Sequence, residues 1–287
     1  MSAFDTVAPR ATEPERSSAC AVAEPGRVAD KPLVVRDLRC GYKDTVVVDG
    51  LSFEITPGEI CAILGQNGIG KTTLFKSILG HIPLLGGSVC VSGHDASSLS
   101  RSEIARLVGY VPQAHTPPFP FTVAEMVEMG RTAHLPLTAV PSREDRLMAL
   151  EAMNSLGIAH LYDKPYTQIS GGERQLALIA RALCQQAGLL IMDEPCANLD
   201  FGYRARVLSQ VEQLAEQGIA VLMTTHDPDH ALSIATTVVA IVDRSEFVIG
   251  KPADVIDSTL LERLYGIPAQ VSCVPTPMGS SLVAIPL

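Results

Sequence analysis

Residues 65–72 read Gly-Gln-Asn-Gly-Ile-Gly-Lys-Thr, which fits G-x-x-x-x-G-K-[ST]. That spacing can hold a polyphosphate. The glycines let the backbone curl so that successive N–H groups point inward at anionic oxygens. A helix opening at the end of the loop adds its positive N-terminal end. Lys71 brings a mobile charge for β- and γ-phosphates, and Thr72 brings a hydroxyl for Mg²⁺. The candidate binding residues are therefore Gly65, Gln66, Asn67, Gly68, Ile69, Gly70, Lys71, Thr72 and Thr73.

A second cluster lies at residues 189–194, Leu-Leu-Ile-Met-Asp-Glu. Four apolar residues and then two acids describe a buried strand that ends in carboxylates. In α/β folds ligands bind at that edge of the sheet. Asp193 is suited to hold Mg²⁺ through water. Glu194 is suited to orient and deprotonate an attacking water. Alone, the pair could be two solvated acids at a strand end. The phosphate cradle upstream favours chemistry.

Both clusters need strands and helices around them, and the sequence supplies these in alternation. The run Glu59–Leu64 before the glycine loop is apolar enough for a strand buried on both faces. The run TTLFKSIL after it has helical spacing and stops at Gly80. Strands are expected in the valine-rich runs after Pro32, at Leu51–Ile55, at Ser88–Ser92, at Leu107–Val111, at Leu189–Met192 and at Ile219–Thr225. Val238–Val242 and Phe247–Ile249 read as a hairpin around a polar turn. Ser100 with Glu103, Thr122 with Glu125, and Ser170 with Glu173 match the capping-box pattern, and Ser142, Asp200 and Asp227 can open further helices. One small helix near Leu260–Tyr265 and a final apolar stretch complete the chain. Strand and helix in alternation predict an α/β fold with a mainly parallel sheet. Residues from about 115 to 187 show helices and no clear strand, which reads as a helical insertion.

Composition sets the outer limits. The chain has 287 residues, 47% hydrophobic and 18% charged, enough to bury a sizeable core. A net charge of −9 argues against a nucleic-acid partner. Seven cysteines, an odd number with no CxxC, argue against a disulfide framework or a zinc site and fit a reducing compartment. No apolar run reaches the length of a spanning helix, and the start has no secretory h-region. Residues 1–30, rich in Ala, Pro, Glu and Ser, read as a disordered tail.

Further motifs then fall into order. Ile169-Ser170-Gly171-Gly172-Glu173-Arg174-Gln175 resembles the signature of the ATPase subunits of ATP-binding cassette (ABC) transporters. Gln113, after Gly109-Tyr110-Val111-Pro112, is similar to that family's Q-loop glutamine. Asn198-Leu199-Asp200 resembles its D-loop, and His226 its switch histidine. Tyr42, in Cys40-Gly41-Tyr42, sits where the family has an aromatic that stacks on adenine. The resemblance covers about residues 33–268.

It implies a P-loop NTPase core with an N-terminal antiparallel β subdomain and an inserted α-helical subdomain. The implied domains are a tail at 1–30, the ATPase at 31–268 and a C-terminal extension at 269–287. ATP and Mg²⁺ are the implied cofactors. Glu194, His226, Gln113 and Lys71 carry the implied catalytic roles. Thr72, Gln113 and Asp193 are the implied metal ligands. Tyr42, the loop residues 65–73, and Ser170, Gly171, Gly172, Glu173 and Asp200 are the implied nucleotide contacts. The implied partners are a second copy in a head-to-tail ATP sandwich, integral membrane permease subunits and, indirectly, an extracytoplasmic substrate-binding protein. That places the chain peripherally on the cytoplasmic face of the inner membrane.

Two residues depart from the pattern. Ile169 replaces Leu, and Cys196 stands where Thr or Ser is common, which raises the expectation of oxidant sensitivity. The segment Pro117–His134 and the tail LLERLYGIP are similar to importers of metal chelates: iron(III)-siderophore, haem and cobalamin. A molybdate or tungstate importer, or a soluble ABC ATPase acting as an assembly switch, stays open as an alternative.

Overall fold

The computed structural model describes residues 31–42, 45–113, 119–136, 139–277 and 279–287. The expected tail at 1–30 lies outside them, as do 115–118 at the start of the expected insertion. The valine-rich runs after Pro32 form two long antiparallel strands, β1 (Leu33–Tyr42) and β2 (Thr45–Ile55). Leu51–Ile55 is the second half of β2, continued through Gly50 at φ 83°, and not a strand of its own. Next come β3 (Ile60–Leu64) and α1 (Lys71–Ile78), then β4 (Gly86–Val91) and the short β5 (His94–Asp95). The first sheet has the order β2-β1-β4-β5 and is antiparallel throughout.

The chain continues through α2 (Arg101–Leu107), β6 (Val108–Val111), α3 (Val123–Glu128), α4 (Arg143–Ser155) and α5 (Gly171–Cys184). It then forms β7 (Leu189–Met192), α6 (Phe201–Glu216), β8 (Ala220–Thr225), α7 (Pro228–Ile234), β9 (Thr237–Asp243) and β10 (Glu246–Gly250). The second sheet has the order β10-β9-β3-β8-β7-β6. All its pairings are parallel except β10 with β9. This is the expected α/β fold. β3, β7 and β8 are buried along their whole length, as strands covered on both faces should be.

Alternation along β3 shows how the layers meet. Cys61 and Ile63 pack with Leu74 and Phe75 of α1 and with Leu38 and Leu51 of the antiparallel sheet. Ala62 and Leu64 turn the other way, into the core shared with the helices between β6 and β7. Those helices, α3, α4 and α5, form the inserted layer. Their starts follow local chemistry: Thr122–Glu125, Ser142–Asp145 and Ser170–Glu173 all close reciprocal capping boxes, as Ser100–Glu103 does at α2.

Beyond β10 the sequence expectation falls short. After α8 (Pro252–Val255) and α9 (Ser258–Tyr265) the chain forms a hairpin, β11 (Ala269–Thr276) and β12 (Gly279–Pro286), where only a final apolar stretch was expected. Pro275 and the serines 272, 280 and 281 hide its periodicity. No Asn-Gly or Asp-Gly pair marks its turn.

Candidate active site

Strand β3 delivers Gly65 at the edge of the sheet, and the loop to Gly70 leads directly into α1. Gly70 caps that helix with φ 113°, a backbone that L side chains rarely adopt. A Cβ there would lie 2.1 Å from Val47 Cγ1, so conformation and space both demand glycine. No side chain caps α1, which leaves its first-turn amides for an anion. Lys71 is buried, and its Nζ donates to Gly65 O at 2.7 Å and Gln66 O at 3.1 Å. The same atom stands 3.3 Å from Glu194 Oε1. Burial pushes the ammonium pKa down, opposed by the carboxylates of Glu194 and Asp193.

The two acids leave β7 in different ways. Asp193 stays in the ladder, its N–H donating to Val111 O at 2.9 Å. Its Oδ2 accepts from Thr72 Oγ1 at 3.0 Å and its Oδ1 from Thr224 Oγ1 at 2.7 Å. Glu194 breaks out with φ 47°, a left-handed backbone that strains a non-glycine residue. Its N–H donates to the same Thr224 hydroxyl at 2.8 Å. Its Oε2 accepts from Gln113 Nε2 at 3.1 Å and lies 3.2 Å from His226 Nδ1. Gln113 follows β6, Glu194 follows β7 and His226 follows β8, so three neighbouring strand ends converge on one carboxylate. A cavity of about 280 Å³ opens beside it, lined in part by Asn67, Cys196 and Arg204.

A separate surface is built by the starts of α5 and α6. Ser170 and Gly171 are exposed, while Gly172 is buried against the ring of Tyr203. Ser170 Oγ accepts from Glu173 N at 3.3 Å, and Glu173 Oε2 accepts from Ser170 N at 2.7 Å. Among the described residues the amides of Gly171 and Gly172 make no hydrogen bond. Asp200 caps α6, accepting from Tyr203 N at 2.9 Å.

The structure thus joins Lys71, Thr72, Gln113, Asp193, Glu194 and His226 through hydrogen bonds and ion pairs around the loop 65–70. No described hydrogen bond joins Ser170, Gly171, Gly172, Glu173 or Asp200 to that group. Tyr42 is half-exposed at the end of β1. Of the proposed metal ligands, Thr72 Oγ1 and Asp193 Oδ2 are 3.0 Å apart. Two hard oxygen donors fit Mg²⁺, which takes the rest of its shell from phosphates and water. No group of three or more His, Cys, Asp or Glu residues among the described residues is placed to hold a metal.

The profile of the family described as "ABC transporter" matches residues 48–197. The chain belongs to the ABC transporter family. An ABC transporter ATP-binding protein of Haemophilus influenzae, itself uncharacterised, is 42% identical over 81% of this chain and 89% of its own length. The molybdate import ATP-binding protein MolC of the same species is 34% identical, covering 83% and 90%. The ferric enterobactin transport ATP-binding protein FepC of Escherichia coli is 32% identical, covering 87% and 92%. Among solved structures, an inward-facing metal-chelate type ABC transporter superposes with a TM-score of 0.81 at 32% identity, covering 90% of this chain and 98% of that one.

In this ABC ATPase the two departures from pattern have physical readings. Ile169 is buried in the core shared with α5, a near-isosteric fit. Cys196 is only 4% exposed, and burial pushes its thiol up to about 12. A thiol held protonated and largely buried is a weak nucleophile, which counts against the expected oxidant sensitivity at Cys196. Thr224 is the residue that sequence reasoning missed. It lies in the expected strand Ile219–Thr225, two residues before His226, and was given no role there, though it holds both acids. Tyr265, whose hydroxyl donates to His226 O at 2.9 Å, was missed as well.

Proposed function

We propose that this chain is the ATP-hydrolysing subunit of an importer that takes up a metal chelate of the iron-siderophore, haem or cobalamin type. The observation that carries the enzymatic half is the convergence of Lys71 (3.3 Å), Gln113 (3.1 Å) and His226 (3.2 Å) on Glu194. In this reading the loop amides and Lys71 bind the phosphate chain of ATP. Glu194 orients the attacking water and accepts its proton. Gln113 and His226 hold that carboxylate in place, and His226 also meets the γ-phosphate. Thr72 and Asp193, with Gln113, hold Mg²⁺, which when bound neutralises charge between the phosphates. Tyr42 stacks on the adenine.

Ser170, Gly171 and Asp200 are exposed, and no described hydrogen bond ties them, Gly172 or Glu173 to their own chain's Glu194. This supports a head-to-tail pair in which each copy completes the other's site. Free amides at the start of a helix suit a γ-phosphate presented from outside. The boundaries 31–268 for the ATPase and 269–287 for an extension belong to the same proposal.

The import half rests on the ferric enterobactin relative, on the metal-chelate type neighbour and on the inserted layer. Phe119 is 63% exposed there and meets Phe121 edge-on at 6.0 Å beside α3, an apolar knob suited to a permease on the cytoplasmic face of the membrane. No described helix is long and apolar enough to cross a membrane itself. The molybdate-importing relative favours an oxyanion cargo as the second reading. Purification from the native host in mild detergent, with mass spectrometry of the co-purifying proteins, tests the proposal. A polytopic membrane protein at one-to-one stoichiometry is expected, and its binding-protein partner identifies the cargo. A soluble complex in every detergent moves the function to an assembly switch.

A further inference from the structure

His226 has little of its own to hold it. Its side chain is 47% exposed, so packing does not fix the ring, and its one described side-chain partner is Glu194 Oε2 at 3.2 Å. The backbone here has just left β8 and has not yet entered α7. Tyr265, the last residue of α9, closes that gap from 39 residues further along the chain, its hydroxyl donating to His226 O at 2.9 Å. One residue earlier, Leu264 O accepts from the side-chain amide of Gln66 in the phosphate loop. Tyr265 and His226 also line a common cavity of about 400 Å³ with Gln66 and Asn67. Helix α9 is therefore tied to the loop that holds phosphate and to the residue after β8, by adjacent positions. A further anchor ties the helix to another strand: Arg263 pairs with Glu246 of β10.

We infer that Tyr265 is a positioning residue for the hydrolytic reaction, its hydroxyl fixing the backbone of His226 so that the imidazole meets Glu194. The inference rests on the proposed role of His226. Geometry of this kind controls rate strongly, since a misplacement of about 1 Å can cost roughly 10²-fold. Burial, with the charge of Asp227, raises the phenol pKa, so the hydroxyl remains a donor across the working pH range.

The test uses the full-length chain and three variants: Tyr265→Phe, His226→Ala and Arg263→Ala. Tyr265→Phe removes one oxygen and keeps the ring. It is expected to lower kcat for ATP roughly 3- to 30-fold with KM changed less than about twofold. In the nucleotide-free protein, the peptide spanning Thr225–Asp229 should exchange its amide hydrogens faster, which reports the backbone directly. Arg263→Ala loosens the same helix at its other anchor and is expected to leave kcat unchanged. Wild-type kcat and exchange in Tyr265→Phe, with His226→Ala impaired, overturn the positioning role. Equal losses in Arg263→Ala and Tyr265→Phe overturn it too, because general loosening of α9 then explains both. Full turnover in His226→Ala overturns instead the reading of the site on which the inference stands.

Discussion

Glu194→Gln exchanges one oxygen for an amide nitrogen and removes a charge, in a side chain that is only 10% exposed. The replacement has the same size, so Gln113 Nε2 at 3.1 Å and His226 Nδ1 at 3.2 Å keep a neighbour. It cannot take a proton from water. A positioned general base contributes about 10²–10⁴ in rate, or roughly 2.7–5.4 kcal/mol of barrier at about 1.36 kcal/mol per decade. Binding should move the other way. The carboxylate stands 3.3 Å from Lys71 Nζ, where it competes with phosphate for the cation and repels the anion. At an effective dielectric near 20 that attraction is roughly 5 kcal/mol before solvation is restored. A small residue of it, about 1.4 kcal/mol, corresponds to tenfold tighter ATP binding. The assay pairs steady-state phosphate release at saturating MgATP with equilibrium binding of a fluorescent ATP analogue. Expected are a 10²–10⁴-fold lower turnover and a Kd that is equal or lower. Turnover within tenfold of wild type would falsify the role of Glu194 as base. Loss of both turnover and binding would show instead that the site had collapsed.

Other predictions concern the scaffold. Thr224→Val leaves Asp193 Oδ1 and the Glu194 amide without the hydroxyl that serves both. It should cost about 1–3 kcal/mol of stability and lower kcat more than it raises KM; unchanged steady-state kinetics would refute that. At Gly172 an added Cβ would sit 2.1 Å from Tyr203 Cγ. Gly172→Ala should therefore lower stability by about 1–3 kcal/mol, read from urea melts, and a melt coincident with wild type would mean that Tyr203 yields. Asp145 and Arg131 form a buried pair at 2.8 Å, with side chains 9% and 10% exposed. Asp145→Asn should destabilise by about 3–5 kcal/mol. The Arg131 guanidinium and the Ser142 amide and hydroxyl hold that carboxyl down at about 2, below its ordinary 3.8. Its stabilisation is therefore full above about pH 4 and disappears as pH falls through about 2, so acid titration should narrow the gap between wild type and variant. Finally, Cys273 is exposed while Cys40, Cys61, Cys184 and Cys196 are buried thiols. Of these five, iodoacetamide should label Cys273 first in the native protein and leave ATPase activity intact; labelling of Cys196 at a comparable rate would contradict its burial.

How far the sequence could be read depends on the range of the interaction involved. The capping boxes at Ser100, Thr122 and Ser170 join residues three apart, and each formed as the pattern required. The glycine loop and the acids after Leu189–Met192 were legible because residue type and the adjoining apolar strand sufficed. Long-range partners left no such trace. Thr224 is 31 residues from Asp193, and as a β-branched residue in a buried strand it needs no explanation beyond β propensity. Tyr265 reaches His226 only because α9 packs back against the segments that follow β3 and β8. The hairpin β11–β12 was not expected, for a different reason. Its strands are mostly partly or fully exposed, so neither a buried alternation nor a characteristic turn distinguished it.

The backbone of Glu194 ties these observations together. A left-handed φ of 47° costs a non-glycine residue on the order of 1–3 kcal/mol, and glycine there could not serve as a base. The strain has to be held in place by what surrounds it. Asp193, immediately before, is pinned to β6 through Val111 O and to β8 through Thr224. The Glu194 amide is pinned to β8 by the same threonine. With the chain fixed on both sides of the turn, Glu194 leaves the plane of the strand and its carboxylate reaches back across the strand ends to Lys71, Gln113 and His226 at 3.1–3.3 Å. A relaxed extended residue at this position would alternate with Asp193 and point to the opposite face of the sheet. The kink is what lets two consecutive acids serve one site, with Asp193 directed at Thr72 and Glu194 at Lys71, Gln113 and His226.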